Sequence, residues 1–264
     1  KTLTIPVTRE GFVTPEAVVS SIREDTAFVA VMAVNNETGA VQPVREISEA
    51  LTAACAGRKR PHFHVDAVQA AGKVSLPFPF PGIDSAAISA HKIGGPRGIG
   101  LLYLAKRIEP FIRGGGQEGG IRPGTENVAG ALALARCLEA CDPSAPGLSD
   151  NGTRLHELLS GIGGIGIIPR TRAPADPRFS PCIYQCTNDR LPGEVLVRML
   201  SESGVYVSTG SACSSKKKGR PVLQAMGIPP DERQNAFRIS MGPATTRDDL
   251  EAFAGALSDI LARA

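Results

Sequence analysis

The chain has 264 residues, of which 42% are hydrophobic and 21% charged, with a formal net charge of +3. That length can bury a large core in one or two domains, and the composition is that of an ordinary globular protein. The small positive charge forms no basic stripe, which argues against nucleic-acid binding; no apolar run reaches the ~18 residues of a membrane span, and the opening residues do not read as a secretory signal.

In chain order, Ala27 to Val34 (AFVAVMAV) is a near-continuous apolar run, the pattern of a strand buried on both faces of a parallel sheet. Val44, Ile47, Leu51 and Cys55 then recur at helical spacing, and Gly57 supplies a stop. HFHVDAV, IDSAAIS and GIGLLYLA read as three further short strands. Strands alternating with a helix predict an α/β layer around a mostly parallel sheet. Two glycine-rich stretches, HKIGGPRGIG and RGGGQEGGIRPGTEN, interrupt this pattern.

A helix from Asn127 to about Cys141 ends at DPSAPG, which has linker chemistry. The predicted domains are therefore 1–143 and 144–264. The second begins with a helix over Leu148 to Leu159, a strand in CIYQC and a helix over Gly193 to Ser203. The loop STGSACSSKKKGR, a strand AFRIS and a closing helix capped by Thr246 complete it. Six cysteines, at 55, 137, 141, 182, 186 and 213, show no disulfide-framework spacing, which predicts a reducing, cytoplasmic setting.

Several residues can carry chemistry. Lys92 follows a predicted buried strand and precedes a glycine-rich loop. A partly desolvated lysine at a sheet's carboxyl edge can form a Schiff base with a carbonyl; a solvated surface charge is the plainer alternative. On a strand, His62, His64 and Asp66 share one face. Such a face can ligate a metal, hold a protonated ring nitrogen of a cofactor, or be a structural polar edge; nothing nearby supplies further metal ligands. Gln69 lies within reach of a phenolic oxygen of such a ring.

The turn VNNETGAVQPV follows a strand at the edge where open α/β sheets bind ligands. Arg238, between apolar neighbours, needs an anion, either a substrate carboxylate or a structural partner. Cys137, Cys141, Cys182 and Cys186 read as small packing residues. Cys213, in contrast, sits among glycine and serine ahead of Lys216, Lys217 and Lys218, a setting for an exposed thiol.

Together, VNNETG, HVDAVQAAGK, SAHKIGGPRGIG, GGGQEGGIRPGTENV and STGSAC followed by FRIS resemble the NifS/IscS-like cysteine desulfurases. These belong to the class V aminotransferases, which are fold-type I pyridoxal-phosphate enzymes. The resemblance runs from near Thr4 to the C-terminus. It implies a mostly parallel-sheet large domain carrying pyridoxal 5'-phosphate and a small α+β domain bearing the reactive cysteine.

It further implies that Lys92 binds the cofactor as a Schiff base and shuttles protons, and that Asp66 pairs with the pyridinium nitrogen. Gln69 would bond the phenolic oxygen, Ser89 and His91 would hold the phosphate, with His91 also counted beside Lys92 and Cys213 among the catalytic residues, and Thr125 would reach the phosphate of a partner subunit in a homodimer. Asn36 and Arg238 would bind the substrate carboxylate. Cys213 would take sulfur from L-cysteine as a persulfide, releasing L-alanine, and pass it to an acceptor or scaffold protein for iron–sulfur cluster assembly or tRNA thiolation.

Selenocysteine lyase or cysteine sulfinate chemistry, or a fragment that only docks sulfur-transfer partners, are the alternative readings. The resemblance also implies a further N-terminal segment ahead of Lys1, with a phosphate-binding threonine turn and a ring-stacking histidine. Without it the chain is expected to bind the cofactor poorly and to have doubtful activity on its own.

Overall fold

The structure is a computed structural model that describes residues 1–76, 79–210 and 219–264. Elements of the first part are α1 (Pro15–Ser21), β1 (Phe28–Met32), α2 (Val44–Ala54), β2 (His62–Asp66), β3 (Ser85–Ser89), β4 (Gly100–Leu104) and α3 (Val128–Ala140). The later part holds α4 (Pro146–Gly161), β5 (Ile165–Ile168), β6 (Ile183–Asn188) and α5 (Gly193–Glu202). It ends with α6 (Pro221–Ala225), α7 (Pro230–Gln234), β7 (Ala236–Ser240) and α8 (Arg247–Arg263).

Two compact units are interleaved along the chain, rather than separated by a single cut after residue 143. One comprises Ile22–Ala33 and Val44–Pro143; the other comprises Lys1–Ser21, Val34–Pro43 and Ser144–Ala264. They are called here the four-stranded and the three-stranded unit.

In the four-stranded unit the sheet order is β1-β2-β3-β4. β1 runs parallel to β2 with Met32 opposite Asp66, and β2 runs parallel to β3 with Asp66 opposite Ala87. β4 returns antiparallel to β3. The mostly parallel α/β layer read from the sequence is present. Burial of β1 differs from the expectation: Val29 and Val31 are buried, but Phe28, Ala30 and Met32 are exposed. The strand is apolar on both sides and covered on one. β2 alternates likewise, with Phe63 and Val65 inside and His62, His64 and Asp66 outward. α2 buries Val44, Ile47 and Leu51, the helical stripe expected from their spacing.

The three-stranded unit is built on an antiparallel sheet, β5-β6-β7. Its core joins Leu155 and Leu159 of α4, Leu196 and Leu200 of α5, Phe237 and Ile239 of β7, and Leu250, Phe253 and Leu257 of α8 around Tyr184 and Cys186 of β6. Every residue of β6 is buried. Thr246 caps α8 through a capping box: its hydroxyl accepts from Asp249 N, and Asp249 accepts from Thr246 N at 2.8 Å. The elements not expected from sequence, α1, β5, α6 and α7, are only four to seven residues long. Such lengths offer too few repeats for a period to be read.

Candidate functional site

Most of the predicted cofactor residues fall in the four-stranded unit, at the carboxyl ends of β2 and β3. Asp66 is the last residue of β2 and is exposed. Its Oδ1 accepts from Val68 N at 3.0 Å, so the carboxylate turns the chain out of the strand. The next residues coil in a helical turn, with Ala71 N donating to Ala67 O and Val74 N to Ala70 O. Gln69 rides on this turn, half-buried, and its Oε1 accepts from Lys73 Nζ at 2.7 Å.

β3 ends at Ser89, and Ala90–Lys92 forms a 3-10 turn. The turn is closed by Ile93 N and Gly95 N, both donating to Ala90 O. Ser89 Oγ and His91 Nδ1 are hydrogen-bonded at 2.7 Å. Lys92 is exposed, not partly desolvated as the sequence suggests, because the turn carries it clear of the buried strand. Thr125 is also exposed, on the segment ahead of α3. Five of the predicted residues, Asp66, Gln69, Ser89, His91 and Lys92, thus leave the ends of two adjacent parallel strands.

Upstream on β2, the two histidines turn to one serine. His62 Nε2 lies 2.7 Å and His64 Nδ1 2.8 Å from Oγ of the buried Ser85. Phe28 of the neighbouring strand stacks on His62, with ring centroids 5.2 Å apart. Burial lowers the His64 pKa, with Asp66 opposing and His62 adding to the shift. Among the described residues, no three histidine, cysteine, aspartate or glutamate side chains are disposed to hold a metal.

Asn36 and Arg238 belong to the three-stranded unit. The Asn35–Ala40 turn is closed by Asn35 Oδ1, which accepts from Glu37 N and Thr38 N at 2.9 and 3.0 Å. Gly39 must be glycine: its φ is +80°, and a Cβ there would lie 2.7 Å from Ile183 O. Buried Arg172 ties the turn to β6, donating from Nη1 to Thr38 O at 3.4 Å and Ile183 O at 2.7 Å, and from Nη2 to Ser180 O at 2.8 Å. Its guanidinium also lies over the Tyr184 ring, 3.6 Å from the centroid.

Arg238 donates from Nη1 to the carbonyl of Asn36 at 2.9 Å, while its Nε is buried without a hydrogen-bond partner. Arg220, which donates from Nη1 to Ala236 O, is half-buried on the same unit. Burial pulls the pKa of both arginines down, and buried Glu37 opposes this in each. Cys213 and Lys216 to Lys218 lie outside the described residues.

Among the described residues, the remaining cysteines form no disulfide. Cys186 is sealed in the core, and burial pushes its thiol up to about 12. Cys141 lies just past the end of α3, and Cys182 just ahead of β6. Sequence reasoning missed Ser85, Lys73, Glu37 and Arg172. Only Lys73 carried a local signal, its four-residue spacing from Gln69.

An α/β layer with a lysine leaving the carboxyl end of parallel strands is the architecture of the fold-type I pyridoxal-phosphate enzymes. Residues 2–253 match the aminotransferase class-V family, and the chain belongs to it. It is 37% identical to a "NifS/IcsS protein homolog" of Lactobacillus delbrueckii subsp. bulgaricus, an alignment that covers 97% of this chain and 66% of that protein. It is 35% identical to "Cysteine desulfurase IscS" of Methanosarcina thermophila, over 94% of this chain and 60% of that protein.

A solved "NifS-like protein" superposes with a TM-score of 0.86 at 33% identity, covering 100% of this chain and 69% of its own. The chain thus spans 60% to 66% of the length of these two curated relatives. No described helix is long and apolar enough to cross a membrane.

Proposed function

We propose that the protein is a pyridoxal-phosphate-dependent cysteine desulfurase that converts L-cysteine to L-alanine and leaves the sulfur as a persulfide on Cys213. The observation that carries this reading is the convergence of Asp66, Gln69, Ser89, His91 and Lys92 at the ends of β2 and β3. The donor set fits the group: an amine for the aldehyde, a carboxylate for the pyridinium and an amide for the phenolic oxygen. Hydroxyl and imidazole suit the phosphate. Bound there, pyridoxal phosphate supplies an electron sink conjugated to the substrate's amine.

Each residue then has a task. Lys92 holds the cofactor and moves protons at the substrate's carbons. Asp66 keeps the ring nitrogen protonated. Ser89 and His91 bind phosphate, joined by Thr125 of a second copy. Asn36 and Arg238 bind the substrate carboxylate. The unpartnered Nε of Arg238 supports this, since Asn36 occupies Nη1 and the Nε edge remains for a bidentate anion. The Cys213 thiolate attacks the substrate sulfur; the carbon–sulfur bond breaks, its electron pair stays with the carbon that a proton then completes as alanine, and the sulfur leaves on Cys213.

The persulfide sulfur passes to an acceptor or scaffold protein in the cytoplasm, for cluster assembly or tRNA thiolation. A homodimer is supported by exposed Phe111, Ile112, Val128 and Leu132, apolar side chains near Thr125 in sequence.

The test is alanine formation from cysteine by the purified protein. Cys213→Ala is expected to abolish persulfide and cysteine turnover, and Lys92→Ala to remove the visible band of the lysine-bound cofactor as well. Undiminished cysteine turnover in either variant overturns the reading. Loss of cysteine turnover with retained selenocysteine or sulfinate turnover in Cys213→Ala is expected of the same fold acting on those substrates without a thiol.

A further inference from the structure

The bond between Lys73 and Gln69 has a consequence for how the site recognises its cofactor. An ammonium only donates hydrogen bonds, whereas a glutamine amide has one accepting and one donating end. Lys73 Nζ lies 2.7 Å from Gln69 Oε1, so the accepting end is taken and the Nε2 donor pair is left to face away from the lysine. We propose that Lys73 is a positioning residue: it orients the Gln69 amide so that N–H, not C=O, meets the phenolic oxygen of the cofactor. This rests on the cofactor reading of the site given above.

The opposite amide orientation would set a carbonyl against an anionic oxygen, two acceptors with no proton between them. A donor in that place stabilises the phenolate, while an acceptor would oppose it.

Lys73 is itself held in place. The Ala67–Val74 turn is closed on itself, with Lys73 N donating to Ala70 O at 3.0 Å, and from it the Lys73 side chain reaches back to Gln69. Gly72, just ahead of Lys73, has φ +68° and approaches two other segments closely. A Cβ on it would lie 2.5 Å from Cys141 Sγ and 3.6 Å from Cγ2 of Ile93, the residue after Lys92. The turn bearing the amide therefore passes close to Ile93, the residue that follows Lys92. Lys73 also lies in electrostatic range of Cys141, opposing the upward pull of burial on that thiol.

The experiment is a pH titration of the visible band of the lysine-bound cofactor. The variants are Lys73→Met, Lys73→Arg, Gln69→Ala and the double variant Gln69→Ala/Lys73→Met. Losing a donor to the phenolic oxygen raises the midpoint, because the deprotonated form is no longer favoured. Lys73→Met is expected to raise it by about one pH unit, a tenfold change in proton affinity. Lys73→Arg, which keeps a donor-only head, stays near wild type. Gln69→Ala shifts at least as far as Lys73→Met, and the double variant matches Gln69→Ala alone.

An unchanged midpoint in Lys73→Met, or a full additional shift on the Gln69→Ala background, overturns the proposal; the latter would mean that the charge acts directly. A second measurement needs no cofactor: 15N relaxation of the Gln69 side-chain amide should show it ordered in wild type and Lys73→Arg, and mobile in Lys73→Met. An amide as ordered in Lys73→Met as in wild type also overturns it. If wild type forms no visible band with added pyridoxal phosphate, the cofactor reading fails, and the relaxation data still decide whether Lys73 orients the amide.

Discussion

In the four-stranded sheet, alternate residues of β1 and β2 reach solvent, and that row carries Phe28, His62, His64 and Asp66. In the three-stranded sheet, every residue of β6 is buried, and β7 with helices α4, α5 and α8 completes the core around it. Both sheets have strands of four to six residues, so strand length does not separate them. What separates them is where polar side chains stand. The first sheet presents them in a row that runs to its carboxyl end. The second keeps nearly all its apolar surface inside and serves as the support for Arg238 and the Asn36 turn. The first sheet leaves polar tips accessible, and the second encloses its own.

The comparison breaks most visibly under truncation. Phe237, fully buried in β7, is expected to lose about 3–5 kcal/mol of stability as Phe237→Ala, by contact loss and an unfilled cavity. Leu102 in β4 is 53% exposed, and Leu102→Ala is expected to cost no more than about 0.5 kcal/mol. Urea unfolding of both variants measures the difference, and equal losses would erase the distinction between the sheets. A smaller effect belongs to the cap of α8. Thr246→Ala leaves Asp249 N without its acceptor and is expected to lower the urea midpoint by an amount equivalent to about 1 kcal/mol, with Thr246→Ser close to wild type.

The smallest effect is a pH dependence that both units share. Burial lowers the pKa of His156 in the three-stranded unit, with Arg172 adding to it, as burial lowers that of His64 in the other. A histidine with a depressed folded-state pKa leaves the unfolded chain holding more protons once the pH falls below about 6.5. Its contribution is therefore intact above that pH and is lost as the pH falls through the folded-state value. Stability is expected to drop between pH 7.5 and 5.5, and His156→Phe to reduce the drop. A curve unchanged by His156→Phe would assign the acid sensitivity elsewhere.

Much of this arrangement was legible before the structure. The alternation of HFHVD placed His62, His64 and Asp66 on one face, and helical spacing marked α2, because both signals lie within a few neighbouring residues. The motif order exposed the family. The coverage of β1 was not legible: an apolar residue on a strand reads the same whether or not anything lies against it, so Phe28 and Met32 looked buried. Ser85 was missed because its partner His62 is 23 residues away, and sequence spacing does not reveal which strands become neighbours. Glu37 and Arg172 were missed for the same reason, since Glu37 acts on Arg238 and Arg172 reaches back to the carbonyl of Thr38. The exposed position of Lys92 depended on a single turn, which pattern reading does not resolve.

The serine between the two histidines has one more consequence. Its hydroxyl has a single hydrogen, yet imidazole nitrogens approach it from both sides at 2.7 and 2.8 Å. It can give that hydrogen to one ring only, and must accept from the other. At most one of the two facing nitrogens is therefore bare at any moment, so the tautomer of one ring constrains that of the other. Through Ser85 the two rings are coupled in one direction: whenever one facing nitrogen is bare, the other must carry a hydrogen.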